Sequence, residues 1–247
     1  MTDLGSGIGI RYLLETRYDR DDLGGPPREH FSRAPAFKEY PPDTQRVKLP
    51  VVAEQFKADF WDLVKARRSL RDYLDSPLSL AELAGLLWAT QGVTLSYRNF
   101  AFRAVPSAGA LYPVETYIAV HQVTGLDPGI WHFQVREFGL ESINPGDWRR
   151  ELVAAGLNQS FLGTAAVVFI WSGILRRSLW KYRQRAIRYL FLDAGHICQD
   201  LHLAATALRL GCCPVGAFFD GEVERLLQID GQEEVALYMA AVGRVKQ

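Results

Sequence analysis

Three arginines and a serine fall within five positions in the stretch ARRSLRDY (66–73): Arg67, Arg68, Ser69 and Arg71. Guanidinium groups are planar, permanently charged donors, and two or three of them converging with a hydroxyl would hold a phosphate dianion. The plain alternative is a solvated helix end, where arginine favours the last turn. The whole chain offers no general field to explain the cluster. Its 28 basic and 28 acidic residues cancel, which argues against nucleic acid or an acidic membrane as partner. An anion bound here would be bound locally.

Three other stretches carry chemical promise. In RAVPSAGALYPVE (103–115), Pro106 fixes a bend, Ser107 supplies a donor, and Ala108, Gly109 and Ala110 have almost no side chains. A flat aromatic ligand could lie against the backbone amides of such a run, although a tight loop feeding a strand would read the same way. In CCPVGAFFD (212–220), small residues recur at Gly216 and Ala217, where the chain leaves a strand. Finally, VGRVK brings Arg244 and Lys246 just after an apolar run, a weaker signal because basic residues there are commonly solvated.

These stretches need a scaffold of 247 residues, enough for one large domain. The first 53, rich in proline and charge, read as an extended arm with little regular structure, and 54–247 as the domain. Apolar spacing predicts a helix over EQFKADFWDLVKAR (54–67), and Ser79 with Glu82 forms a capping box opening SLAELAGLLWATQG. ETYIAVHQV (115–123) and GIWHFQV (129–135) read as a hairpin, Asp147 as the cap of a short helix, and AAVVFIW (165–171) as a buried strand. A long helix is expected from about 181 to 210, stopped by Gly211, with Gly195 packed closely against a neighbour and Asp193 loosely facing Arg188. A short helix over 221–229 and a final strand over 235–243 complete the order, which predicts an α+β fold: helices around a mostly antiparallel sheet. No apolar stretch approaches the ~20 residues of a membrane span, and the N-terminus does not read as a signal peptide, so a cytoplasmic setting is expected. Three cysteines give neither a disulfide framework nor metal-ligand spacing, so no metal is expected.

RRSLRDY (67–73), PSAGALYPVE (106–115), WKYRQRAIRYLFLDAGHICQDLHLAATALRLG (180–211) and CCPVGAFFD (212–220), in this order, resemble the flavin-dependent nitroreductase superfamily, in particular its SagB/ThcOx-type dehydrogenase branch. The resemblance spans about 55 to 245. It implies a domain-intertwined homodimer with FMN at each subunit interface. It carries over Arg67, Arg68, Ser69 and Arg71 to the FMN phosphate and ribityl chain, and Pro106, Ser107, Ala108 and Gly109 to the isoalloxazine edge. Val215, Gly216 and Ala217 map to the segment whose backbone approaches flavin N5, and Arg244, with less weight Lys246, to a further phosphate contact.

The branch oxidises thiazoline or oxazoline rings in peptides during natural product biosynthesis, with a Lys-Tyr pair removing the proton. Lys181 and Tyr182 stand at the matching place. A lysine partly desolvated beside an arginine-rich helix is a usable base, with Tyr182 relaying the proton or orienting the ring. Solvated cations on a basic helix are the alternative, and His196 reads as a packing residue. Tyr112 and Tyr189 are candidate walls for flavin or substrate. Two other functions fit the resemblance: an NAD(P)H-dependent reductase of nitro compounds, quinones or enones, and a non-catalytic flavin-binding partner in a modification complex. A peptide oxidase would need a cyclodehydratase or leader-peptide-binding partner.

Overall fold

Local signals set the elements. The computed structural model describes residues 7–17, 30–52, 55–97 and 100–246. In chain order the first elements are α1 (Ile8–Glu15), β1 (Arg46–Lys48), α2 (Phe60–Ala66), α3 (Leu80–Gln91), β2 (Val93–Tyr97), β3 (Phe100–Arg103) and β4 (Val114–Val120). Next come β5 (Gly129–Gln134), β6 (Gly139–Pro145), α4 (Arg149–Ala155), α5 (Phe161–Thr164) and β7 (Val167–Ile174). The last are α6 (Arg176–Tyr182), α7 (Ala186–Ala207), β8 (Leu210–Val215), α8 (Asp220–Leu227) and β9 (Glu234–Arg244).

Seven strands form one sheet in the order β1-β6-β5-β4-β7-β9-β8, every neighbouring pair antiparallel. Strand side chains alternate between faces, and here both faces are buried. Ile118, Phe169, Trp171 and Val242 join one core with α3 and α7, whose Leu86 and Leu201 are fully buried. Tyr117, Val168, Ile170 and Met239 join a second core with α4 and α8. This explains the unbroken apolar run of β7, and the α+β expectation holds. Truncating Leu201 to alanine would cost about 2–5 kcal/mol.

The Ser79 capping box is present: its hydroxyl accepts from Glu82 N at 3.2 Å and its own N–H donates to the Glu82 carboxylate at 2.7 Å. Other expectations need revision. Asp59 caps α2 through bonds from Trp61 N and Asp62 N, so that helix starts later than the periodicity suggests, and Phe56 instead packs over Gly85. Asp147 lies one residue before the α4 cap position, which Trp148 occupies, and accepts from Arg149 N at 3.1 Å. The long helix is broken at Arg183, whose φ of 52° separates α6 from α7. It ends where Arg209 turns left-handed (φ 56°), and Gly211 sits inside β8 against Val245. Gly195 faces open space in the single chain.

The leading residues hold α1 and the edge strand β1, more regular structure than their composition suggests. The 53/54 boundary lies outside the described residues. No helix among the described residues is long and apolar enough to cross a membrane.

Candidate active site

The backbone of 69–70 runs along the outer edge of β8: Ser69 bridges Cys212 in parallel, and Leu70 N donates to Cys212 O at 3.1 Å. This fixes the arginine stretch on the sheet. His202 of α7 bonds Arg68 O at 3.0 Å from behind. Burial pushes the His202 imidazole down and the Arg67 charge adds to that effect, opposed by hydrogen bonding to the Arg68 and Cys212 backbone. Among the described residues no carboxylate lies in ion-pair range of Arg67, Arg68 or Arg71. Arg68 donates to Lys65 O and Arg67 O at the end of α2, and Arg71 lies 5.7 Å over the Phe161 ring.

Arg244 differs. Its Nη2 bonds both Glu82 carboxylate oxygens at 3.1 and 2.9 Å, and its Nε bonds Pro77 O. The carboxylate that caps α3 therefore already neutralises this arginine. Val215 is buried at the end of β8, whereas Gly216 and Ala217 are exposed. Lys246 is exposed and carries no described bond to the cluster.

The PSAG loop sits elsewhere. Ser107 Oγ donates to Asp193 of α7 at 2.6 Å and accepts from Tyr112 N at 2.9 Å, while Ala108 N donates to Asp193 at 3.3 Å. The Ser107 hydroxyl is thus engaged in holding the loop. Asp193 has burial pushing its carboxyl up, opposed by those two bonds. Its partner is the loop and not Arg188, which reaches Leu13 O and Thr16 of the leading segment. His196 is exposed. Gly109 adopts a left-handed φ of 63°, and a Cβ placed there would meet Tyr182 Oη and lie 2.6 Å from Lys181 Nζ. The two side chains from α6 thus converge on the small-residue loop. Lys181 is exposed in the single chain. The Tyr182 ring packs edge-on to Tyr189 at 4.8 Å.

Asp193 and His202 are nine residues apart on α7, which separates the loop from the arginine stretch by about 13 Å along the helix and half a turn around it. On α7, Phe191 and Leu192 are 57% and 55% exposed, and on α2, which packs against α7, Phe60 and Trp61 are 55% and 75% exposed.

Lys181 and Gly109 open onto a cavity of about 450 Å³ walled by Phe37, Phe102, Tyr112 and Trp180. Tyr112, one of the two tyrosines named from the sequence as candidate walls, lines this cavity. Two features escaped sequence reading. The leading segment contributes Phe37 and Arg33, the latter 5.3 Å over the Trp180 ring. Beneath the cavity a buried network joins Arg177 to Glu115 and Pro35 O, and Glu115 to His132 at 2.8 Å. Burial alone would raise the Glu115 carboxyl, yet Arg177 and His132 hold it far below the carboxylate range.

The sequence profile of the nitroreductase family matches residues 64–244. A Methanocaldococcus jannaschii protein named as a nitroreductase is 37% identical over 82% of this chain and 98% of its own length. The trifolitoxin-processing protein TfxB of Rhizobium leguminosarum is 30% identical over 58% of this chain, which spans only 39% of TfxB. Among solved structures, one from Anabaena variabilis titled as a nitroreductase superposes with a TM-score of 0.71 at 31% identity, covering 83% of this chain and 42% of that one. The Escherichia coli microcin synthetase complex McbBCD shares the fold at a TM-score of 0.66 and 20% identity, over 85% of this chain and 78% of that one. The chain belongs to the nitroreductase family of oxidoreductase enzymes.

Proposed function

We propose that the protein is an FMN-dependent dehydrogenase of the SagB/ThcOx type, aromatising thiazoline or oxazoline rings in a peptide. The observation that carries this reading is the convergence of Lys181 and Tyr182 on Gly109 at the edge of an aromatic cavity. The chain's residues fit the cofactor. Arg67 and Arg71, without acidic partners among the described residues, suit its phosphate, with Ser69 beside them and Arg68 contributing once released from the α2 end. Pro106, Ser107, Ala108 and Gly109 suit the ring edge, where glycine leaves room that a Cβ would fill. Exposed backbone at Gly216 and Ala217, beyond Val215, is open to close approach. Arg244 joins the phosphate only by leaving Glu82. Bound FMN supplies a two-electron acceptor for hydride.

The loop and the arginine stretch occupy opposite flanks of α7, so the site is completed in a homodimer that sets one copy's loop against the other copy's arginines, with the exposed apolar residues of α2 and α7 as its contact. In this reading Lys181 takes the proton from the ring carbon and Tyr182 relays it or orients the ring. A cyclodehydratase partner supplying the azoline is supported by relatives whose names tie them to trifolitoxin and microcin processing.

The test is mass spectrometry of an azoline peptide incubated with the flavin-loaded protein. Lys181→Ala should abolish the loss of two hydrogens per ring while leaving bound FMN unchanged; FMN-loaded wild-type protein that leaves the ring intact would refute the reading. A second reading, reduction of nitro compounds, quinones or enones by NAD(P)H, draws on the name of the Methanocaldococcus relative. Rapid bleaching of bound flavin by NADPH, followed by turnover of a nitroaromatic, would favour it.

A further inference from the structure

Arg103 closes β3 at the wall of the same cavity, 7% exposed. One guanidinium nitrogen, Nη1, donates to Gln91 Oε1. Gln91 is itself fixed, since its amide nitrogen donates to Val114 O at 3.1 Å and Thr116 Oγ1 at 2.9 Å. That leaves its oxygen turned to the arginine. The Arg103 Nε has no hydrogen-bond partner among the described residues, and no carboxylate there lies in ion-pair range. The contrast is Arg177, equally buried, which meets Glu115 and two carbonyl oxygens. The guanidinium of Arg103 lies 4.6 Å over the Tyr112 ring and 6.0 Å from that of Phe37, both cavity walls. Burial pushes Arg103 down to about 10, so it keeps its charge at neutral pH. The Glu115 charge reaches Arg103 without a direct bond and is shared with Arg177, and a buried cation whose donors are incompletely paired is costly unless something else completes its bonds.

The geometry points to Arg103 as the residue that binds a substrate carbonyl oxygen in the cavity, beside the carbon from which Lys181 takes the proton. This rests on the azoline reading. In a ring made from a peptide, the carbon carrying the removable hydrogen bears the next peptide carbonyl. Its C–H bond breaks and the proton passes to Lys181. The C–H bond of the neighbouring ring carbon breaks with its electron pair leaving as hydride to the flavin, and a carbon–carbon double bond closes between the two. Negative charge that develops on the carbonyl oxygen meets the fixed positive charge of Arg103, the arrangement that stabilises such a transition state. The flanking aromatic rings suit a flat heterocycle.

The experiment is calorimetric titration of flavin-loaded full-length protein with thiazole-4-carboxamide and with unsubstituted thiazole. Wild-type protein should prefer the carboxamide by about tenfold to a hundredfold. Arg103→Met should abolish that preference without loss of flavin or of thiazole binding, and Arg103→Lys should restore part of it. A wild type without the preference, an Arg103→Met variant that keeps it, or one that loses only flavin would each overturn the assignment. Kinetics separate this from the parent reading. Azoline oxidation with an unchanged KM in Arg103→Met sinks the oxygen site and leaves the reaction. An Arg103-dependent carboxamide preference without azoline oxidation supports the site and sinks the reaction.

Discussion

Lys181 brings its Nζ so close to Gly109 that a Cβ at that glycine would sit 2.6 Å from it. The left-handed backbone of Gly109 and the two α6 side chains therefore depend on one another. Gly109→Ala should destabilise the fold by about 1–2 kcal/mol through its backbone alone. Displacing the pair should lower kcat by roughly tenfold to a hundredfold. Thermal melts and steady-state kinetics on the same preparation would separate the two effects; an alanine variant with wild-type kcat would disprove the coupling.

The arginines should not behave alike. Arg67→Gln and Arg71→Gln each remove a charged donor without an acidic partner among the described residues, and should weaken FMN binding by about tenfold to a hundredfold. Arg244→Gln breaks a half-exposed ion pair with Glu82, so its main effect should be at most about 1 kcal/mol of stability. Fluorescence titration of apoprotein with FMN ranks the three. An Arg244 variant that loses FMN most would show that this arginine leaves Glu82 for the phosphate.

The exposed apolar residues of α2 and α7 should contribute to an interface between copies. Phe191→Asp or Trp61→Asp should shift the protein from dimer to monomer and release flavin in parallel, since charge is poorly tolerated at the centre of an apolar contact. Sedimentation velocity monitored at protein and flavin wavelengths reads both. A wild-type monomer that retains flavin would rule out the shared site.

The buried network predicts opposite pH slopes. For His132, burial acts to lower the ring, but the hydrogen bond to Glu115 and the Glu141 carboxylate 3.6 Å away outweigh it and raise it above its ordinary value near 6.5. Its stabilisation is fully present below pH 6.5 and is lost as pH rises through the folded value. For Glu115 the folded value is depressed, so its stabilisation is present above about pH 4.5 and fades only as acid approaches the folded value. Urea melts across pH 5–9 should show stability falling on the alkaline side, a slope that His132→Gln removes. An unchanged slope in that variant would assign the titration elsewhere.

What could be read from the sequence was what local chemistry dictates. The Ser79–Glu82 box and the apolar run of β7 declare themselves within a few residues, because capping and two-sided burial leave local marks. The motif words named Lys181, Tyr182 and Gly109, three residues that the fold brings together. Asp193 escaped because its partners, Ser107 and Ala108, are 86 and 85 positions away. The break at Arg183 escaped because apolar spacing continues across it and an arginine carries no mark of a left-handed backbone. Arg103 had only the inward alternation of its strand to betray it.

That single reversed residue gives the two ends of the segment separate mechanical lives. With Arg183 as a pivot in place of a continuous rod, a residue inserted or deleted there would re-aim Lys181 and Tyr182 while Asp193 kept its grip on the loop. Chemistry and scaffold can therefore diverge independently on either side of one joint.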